Sequence, residues 1–377
     1  MKAAQGGAAT VAITLMMAFV ILLSVAFANR SVLFEVKASA NQYRAAQAHE
    51  AAEAGIDRAL AQLNSGTPLG DDCLASTDPA ARPFRERSLG FMQTQCTENG
   101  NGWACQCPNS GELRPAADGI SFIFGLATTD QPGVLQLTST GSSDGSRAQV
   151  LVRLARLPGL DTLPAAALTV RGTASFGPGM FEVRHISAAT GGLTVHSGGA
   201  SNASALRLVS TPGTPVTASV LNDEPTLARL TPTGLFASLF RMDKAAWRSQ
   251  PMAHEVDCSS PCDAALLQAA ASHQLIWLRG GLRLQTPAAL GTLQRPVLLL
   301  ADGPIELHAN AVIHGLVYGT DARWLDAAGA TIHGAVILEG DLQASGNTQI
   351  HHDASVLAAL HERTGSYARL PGSWRDH

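Results

Sequence analysis

Three isoleucine–histidine pairs, Ile313-His314, Ile332-His333 and Ile350-His351, recur in the C-terminal part of the chain. Side chains alternate between faces along a strand, so if the isoleucines face a core the histidines form an outward stack. Stacked imidazoles would offer a route to metal binding. No carboxylate recurs in step with them, however, and surface histidines are ordinarily solvated. His351-His352-Asp353 offers the same chemistry in a more compact form. Glycoside hydrolysis is a second candidate chemistry, and it needs two carboxylates on one face. Asp302 and Glu339 occupy equivalent places in an internal repeat, but each precedes a glycine, and turn formation accounts for that pairing more simply. No nucleophile elbow, P-loop or dinucleotide fingerprint is present. The residues therefore predict no catalytic group, no resident metal and no cofactor.

The third chemistry is that of thiols. Six cysteines occur, Cys73, Cys96, Cys105, Cys107, Cys258 and Cys262. Their spacing fits no zinc ribbon or finger. An even number beside an N-terminal export segment indicates disulfides formed in an oxidising compartment. Cys258 and Cys262 are local enough to close on each other. Cys105 and Cys107 are too close to bond readily together, which leaves each to pair with Cys73 or Cys96.

The histidines lie in a repeat. Residues 302–314 align with 339–351 at an offset of 37, and Ala311–Val317 align with Ala330–Val336 at an offset of 19. Coils of about 20 residues that bury their apolar side by stacking describe a β-solenoid. Leu168-Thr169-Val170 and Leu193-Thr194-Val195 hint at earlier coils. The solenoid-like part spans 161–377, with a helical insertion over about 232–273. In that insertion Leu235–Met242 reads as one helix. Ser260, Pro261 and Asp263 read as the N-cap, first turn and capping acid of a second helix, which would lie against the solenoid as a lid.

At the other end of the chain, Ala8–Ala28 is an almost wholly apolar run of 21 residues, and about 20 residues cross a bilayer as a helix. Helical periodicity continues through Phe34, Val36, Tyr43, Ala48, Ala52, Ile56, Leu60 and Leu63, and no proline occurs before Pro68. The spacing predicts one helix over 8–64, half membrane span and half amphipathic rod. It would be about 85 Å long at 1.5 Å per residue. His49, Glu50, Glu53, Asp57 and Arg58 keep one face wet, and Asn64-Ser65-Gly66-Thr67-Pro68 stops the helix. Three readings of the span compete: a cleaved secretory signal, a plain anchor, and a prepilin. In the last, a short polar leader, residues 1–7, is removed and the apolar helix is kept. The apolar region is longer than the usual core of about 7–15 residues in a signal peptide. Over 65–160 the sequence predicts a disulfide-bearing β domain: an irregular segment, then strands at Ile120–Ala127, Val134–Thr140 and Ala148–Leu157 that pack on the rod. The fold class expected is α+β: long helix, small antiparallel sheet, C-terminal β-solenoid. A net charge of −4 with no basic stripe argues against a nucleic-acid partner.

Residues 5–60, and above all Ala51-Ala52-Glu53-Ala54-Gly55, resemble the N-terminal region of PilX-like minor pilins of type IV pilus assembly. The run from Leu137 to Gly159 and the closing residues 367–376 resemble the same family. The resemblance implies cleavage between Gly7 and Ala8 by prepilin peptidase, N-methylation of Ala8, and insertion in the bacterial inner membrane. The body would lie in the periplasm, and at the cell surface after assembly. It implies no enzymatic activity and partnership with the major pilin, other minor pilins, a tip adhesin and the inner-membrane assembly platform. Ordinary pilins carry glutamate as the fifth mature residue; this chain has Ala12 there. The assembly helix is thus expected to use Ala12, Ala48, Ala52, Ile56, Leu60 and Leu63. Two alternatives stand beside this reading, a minor pseudopilin of a type II secretion filament and a membrane-anchored solenoid enzyme acting on polysaccharide.

Overall fold

A computed structural model describes residues 7–78, 81–107, 113, 119–187, 191–202, 206–308 and 310–376; at 8 and 325–328 it describes the backbone alone. The expected leader, apart from Gly7, lies outside the described residues. One α-helix runs without interruption from Gly7 to Leu63. Alanine-rich sequence without proline favours this continuity. Asn64 ends the helix and replaces its next turn with a tertiary contact. Its side chain donates to Tyr367 O (2.9 Å) and accepts from Tyr367 N (2.7 Å).

The second half of the helix lies on a seven-stranded antiparallel sheet. The three expected strands occur at Ile120–Thr128, Val134–Ser143 and Ser146–Leu157. Four more join them. Gln93–Glu98 and Trp103–Gln106 extend one side, where an irregular segment was expected. Their alternation is hard to read because the inward residues of the first are Thr94 and Cys96 rather than aliphatics. On the other side Ser366–Arg369 and Arg375–Asp376 pair with Ser146–Leu157. The last residues of the chain therefore belong to this sheet, and the C-terminal body does not extend over the whole of 161–377. Ala51, Ala52, Ile56, Ala59 and Leu63 form one core with Phe122, Phe124, Leu137, Val150, Val152 and Leu154.

The rest of the chain builds a curled sheet of 15 strands in which every pairing is parallel. Ile313, Ile332 and Ile350 pair residue for residue, as the repeat requires, and Val183 and Leu208 continue the row. One row of strands reads as nearly continuous apolar sequence, Leu275–Leu278 and Val297–Ala301, because both of its faces are buried. Inside is a mainly aliphatic core that also takes in Phe176, Phe181 and Trp324. Outside, Phe236, Phe240 and Trp247 from the helices Pro232–Phe240 and Lys244–Arg248, with Leu357 and Leu360 from Ala354–Arg363, cover Trp277, Leu298, Leu300, Leu316 and Tyr318. The insertion also contributes an edge strand, Ala253–Asp257.

Strand order along the sheet departs from chain order. Leu168 and Val195 do pair with each other, yet they do not precede the repeat in space. Leu168–Val170 stack on Val336–Leu338, at the end of the repeat. The chain enters at the middle of the sheet and builds outward to Val220–Leu221. It then crosses through the helices and returns from Ala253–Asp257 to the middle. Entry and exit strands meet at a seam where Ala174–Phe176 pair with Leu342–Ala344 and Glu182–Arg184 with Gln349–His351.

Candidate functional site

The N-terminal helix presents two surfaces. From Val11 to Tyr43 its large apolar side chains are exposed, among them Phe19, Ile21, Leu22, Phe27 and Phe34. The helix is long and apolar enough to cross a membrane. Ala12 lies in this exposed stretch. Ala48, Ala52, Ile56 and Leu63 are enclosed instead by the chain's own sheet, and Leu60 is half-buried. The helix is therefore open all round only to about residue 46; beyond it Ala48, Ala52, Ile56 and Leu63 hold the body on the rod, while Glu50, Asp57 and Ala61 stay exposed on the other face.

Small residues set that attachment. A Cβ on Gly141 would lie 2.0 Å from Ala48 O, and one on Gly55 would lie 2.2 Å from Ser139 Oγ. Helix and sheet thus touch backbone to backbone, a contact that the Ala51–Gly55 stretch permits. The face expected to stay wet is partly strapped by the chain's end. Arg369 donates to Asp57 Oδ1 (2.6 Å), and Trp374 Nε1 donates to Glu53 Oε1 (2.6 Å). The Trp374 ring meets His49 edge-on at 6.0 Å. Periodicity alone gives no sign of this strap, because its partners lie more than 300 residues apart.

The cysteines form three bridges, Cys73–Cys107, Cys96–Cys105 and Cys258–Cys262. Cys96 and Cys105 face each other across a strand pair. Buried Arg87 ties the segment around Cys107, donating to Cys107 O (2.8 Å) and Leu69 O (2.7 Å). The bridge at Cys258–Cys262 also shifts a helix start. Ser260 and Pro261 stay outside it, and the helix runs Asp263–Ser272 with Cys262 at its N-cap. Asp263 does not cap its own helix; its Oδ2 accepts from Gln285 N, Thr286 N and Thr286 Oγ1, just after the strand Leu282–Leu284. In a chain-entropy account the bridge that spans 34 residues contributes about 4 kcal/mol, and the one that spans 4 about 2 kcal/mol. Cys73→Ser/Cys107→Ser should accordingly lower the unfolding free energy of the full-length protein in detergent about twice as far as Cys258→Ser/Cys262→Ser, read by urea unfolding, with a steeper slope because the freed unfolded chain exposes more surface.

The histidine row is in register, His314 beside His333 and His333 beside His351. The first pair stacks at 4.7 Å with 13° between planes, and the second meets edge-on at 5.3 Å. Burial, and then His333, holds the His314 and His351 imidazoles below their ordinary range. His351-His352-Asp353 diverge in role. His351 approaches Glu182 (3.7 Å), His352 Nε2 donates to Pro164 O (3.1 Å), and Asp353 caps the helix Ala354–Arg363 through the amides of Ser355 and Val356. Among the described residues no three His, Cys, Asp or Glu side chains converge as a metal site.

The aligned carboxylates are both occupied. Asp302 Oδ1 accepts from Gly280 N (2.6 Å) at an exposed turn. Glu339 is buried beneath the helical insertion. It accepts from Tyr318 Oη (2.5 Å) and pairs with Lys244 Nζ (2.6 Å), while Arg171 Nε donates to its backbone oxygen. Burial, and then Glu339, pushes the Tyr318 phenol far above its ordinary range. Lys244 is not legible as a partner in the sequence, since nothing local marks one lysine of a short helix. A groove of about 480 Å³ crosses neighbouring strands of the parallel sheet and is lined by Glu306, Asp321, Arg323, Asp341 and Gln343.

No protein-family model matches the chain, and no curated protein matches it in sequence. Among solved structures it is similar to the competence-associated pilin ComZ from Thermus thermophilus. Identity is 11%, the match covers 89% of this chain and 97% of that one, and the TM-score is 0.28. So remote a likeness assigns neither fold nor function.

Proposed function

We propose that this chain is a long PilX-like minor pilin of a type IV pilus, with a β-solenoid as its outward body. The supporting observation is the single helix Gly7–Leu63, bare and apolar over its first half and fused to an antiparallel sheet over its second. A rod of this form holds a subunit in the inner membrane and then offers apolar surface to sister rods. In this reading prepilin peptidase cuts between Gly7 and Ala8. The mature helix joins the major pilin and other minor pilins at an initiation or tip complex, on the assembly platform and beside a tip adhesin. Deleting the gene should abolish twitching and leave exoprotein secretion intact. Loss of secretion with twitching preserved would instead identify a type II secretion pseudopilin.

Ala12 gives the reading a finer consequence. A glutamate at that place can meet a neighbour's free amine in a water-poor core, where an unpaired charge is costly. A subunit with alanine leaves that amine unpaired and suits an end position better than the shaft. Ala12→Glu should raise the amount of this protein in sheared pilus fractions above that of an Ala12→Gln control, measured by quantitative immunoblotting. Equal amounts for the two variants would remove the basis for an end position.

A further inference from the structure

The seam of the parallel sheet, where the chain's entry strand Glu182–Arg184 lies on its exit strand Gln349–His351, carries an unusual density of imidazoles. His185 and His352 stack face to face across it, with ring centroids 3.7 Å apart and 12° between planes. His351, next to His352 in the chain, belongs to the separate row that His333 and His314 continue. Each imidazole of the stacked pair is fixed by a backbone carbonyl. His185 Nδ1 donates to Leu193 O (2.7 Å) and His352 Nε2 to Pro164 O (3.1 Å). The second nitrogen of His352 is buried with no partner among the described residues.

We propose that this seam is an acid-sensitive latch: on acidification, protonation of the His185–His352 stack loosens the entry strand from the exit strand. Two imidazolium ions at stacking distance repel, and a proton on the buried nitrogen of His352 finds no acceptor there. Asp353, at the start of the helix Ala354–Arg363, favours a cation on His352, and the His185 ring opposes one there. Glu182, Arg184 and His333 act instead on His351, and Arg207 pairs with Glu182 at 3.3 Å. Burial adds to the opposition and holds both rings of the pair below their ordinary range. A group with its folded-state pKa lowered stabilises the fold above its unfolded value, and that contribution disappears as pH falls through the folded one. The response is local, because inside the seam Phe181 stacks on the fully buried Trp324 at 5.8 Å and does not titrate.

The test is amide hydrogen exchange on the full-length protein in detergent at pH 7.5 and 5.0, corrected for intrinsic chemical exchange. Peptides over 182–187 and 349–353 should lose protection on acidification by at least about threefold more than peptides over 297–301, which carry no titratable side chain, a contrast that local opening produces. His185→Gln/His352→Gln keeps an amide donor for each carbonyl and removes both titrations, so it should abolish the contrast. Equal loss of protection at the seam and at 297–301 in the unmodified protein would overturn the proposal. So would a contrast that persists in the double variant. If the double variant is unprotected at pH 7.5, His352→Gln alone, which removes the ring–ring repulsion and the unpartnered nitrogen, should reduce the contrast, and an unchanged contrast would overturn the proposal.

Discussion

Gly141→Val should detach the rod from the body. Any Cβ at Gly141 would sit 2.0 Å from Ala48 O and 2.5 Å from Ala52 N, one turn of helix backbone that no side-chain rotation can clear. Overpacking of a tight contact costs about 1–3 kcal/mol and more where nothing yields. We expect about 3 kcal/mol or more for Gly141→Val, read from the urea midpoint, with new proteolysis around residues 47–63. Gly141→Ala should already show part of the effect. Gly55 is the useful contrast. A Cβ there would meet the Ser139 hydroxyl at 2.2 Å, a side-chain atom and not backbone. Gly55→Ala/Ser139→Ala removes that obstruction and adds a better helix former, so the pair should be tolerated where Gly141→Ala is not. Equal tolerance of both would mean that helix and sheet are not in backbone contact.

Glu339→Ala has the next largest expected effect. Glu339 is 5% exposed and holds two partners, the Tyr318 hydroxyl and the Lys244 ammonium. Lys244 lies 6.0 Å from the centres of the Phe236 and Tyr318 rings. Removing the carboxylate strands a cation and a hydroxyl beneath the helical insertion. Breaking one side of a buried pair costs about 3–5 kcal/mol; Lys244 keeps some solvent access, so about 3 kcal/mol is expected. Lys244→Met/Glu339→Met replaces both charges by apolar side chains and should cost much less than Glu339→Ala. Thermal unfolding of the three proteins under one set of conditions checks the order. A near-neutral Glu339→Ala would show that the insertion is held by its apolar contacts alone.

Local signals make the helix, the three central strands and the repeat legible. A run of 57 helical residues needs only the absence of breakers and a stop at Asn64. The repeat reveals the register of Ile313, Ile332 and Ile350 because an offset in sequence becomes a stacking distance in a parallel ladder. What stays hidden depends on contacts between distant parts of the chain. Ser366–Arg369 closes a sheet whose partner strand ends at Leu157, and Leu168 stacks on Val336. Neither pairing leaves a local trace, since a strand looks the same whichever neighbour it takes. The histidine row is visible as a spacing. The closest stack is not, because His185 lies outside the repeat and meets His352 only through the seam. Asp302 and Glu339 look equivalent in sequence and are not so in surroundings. An exposed turn holds one, and a lysine from the insertion neutralises the other.

The central claim is that the apolar rod stays attached after processing and is shared with sister subunits. The most direct measurement is the N-terminus of the protein purified from envelopes or pili, by intact and peptide mass spectrometry. The account predicts a chain that begins at Ala8 with an N-methyl group. A chain that begins at Asn29, with the rod removed during export, would contradict it, as would one that still carries Met1 to Gly7.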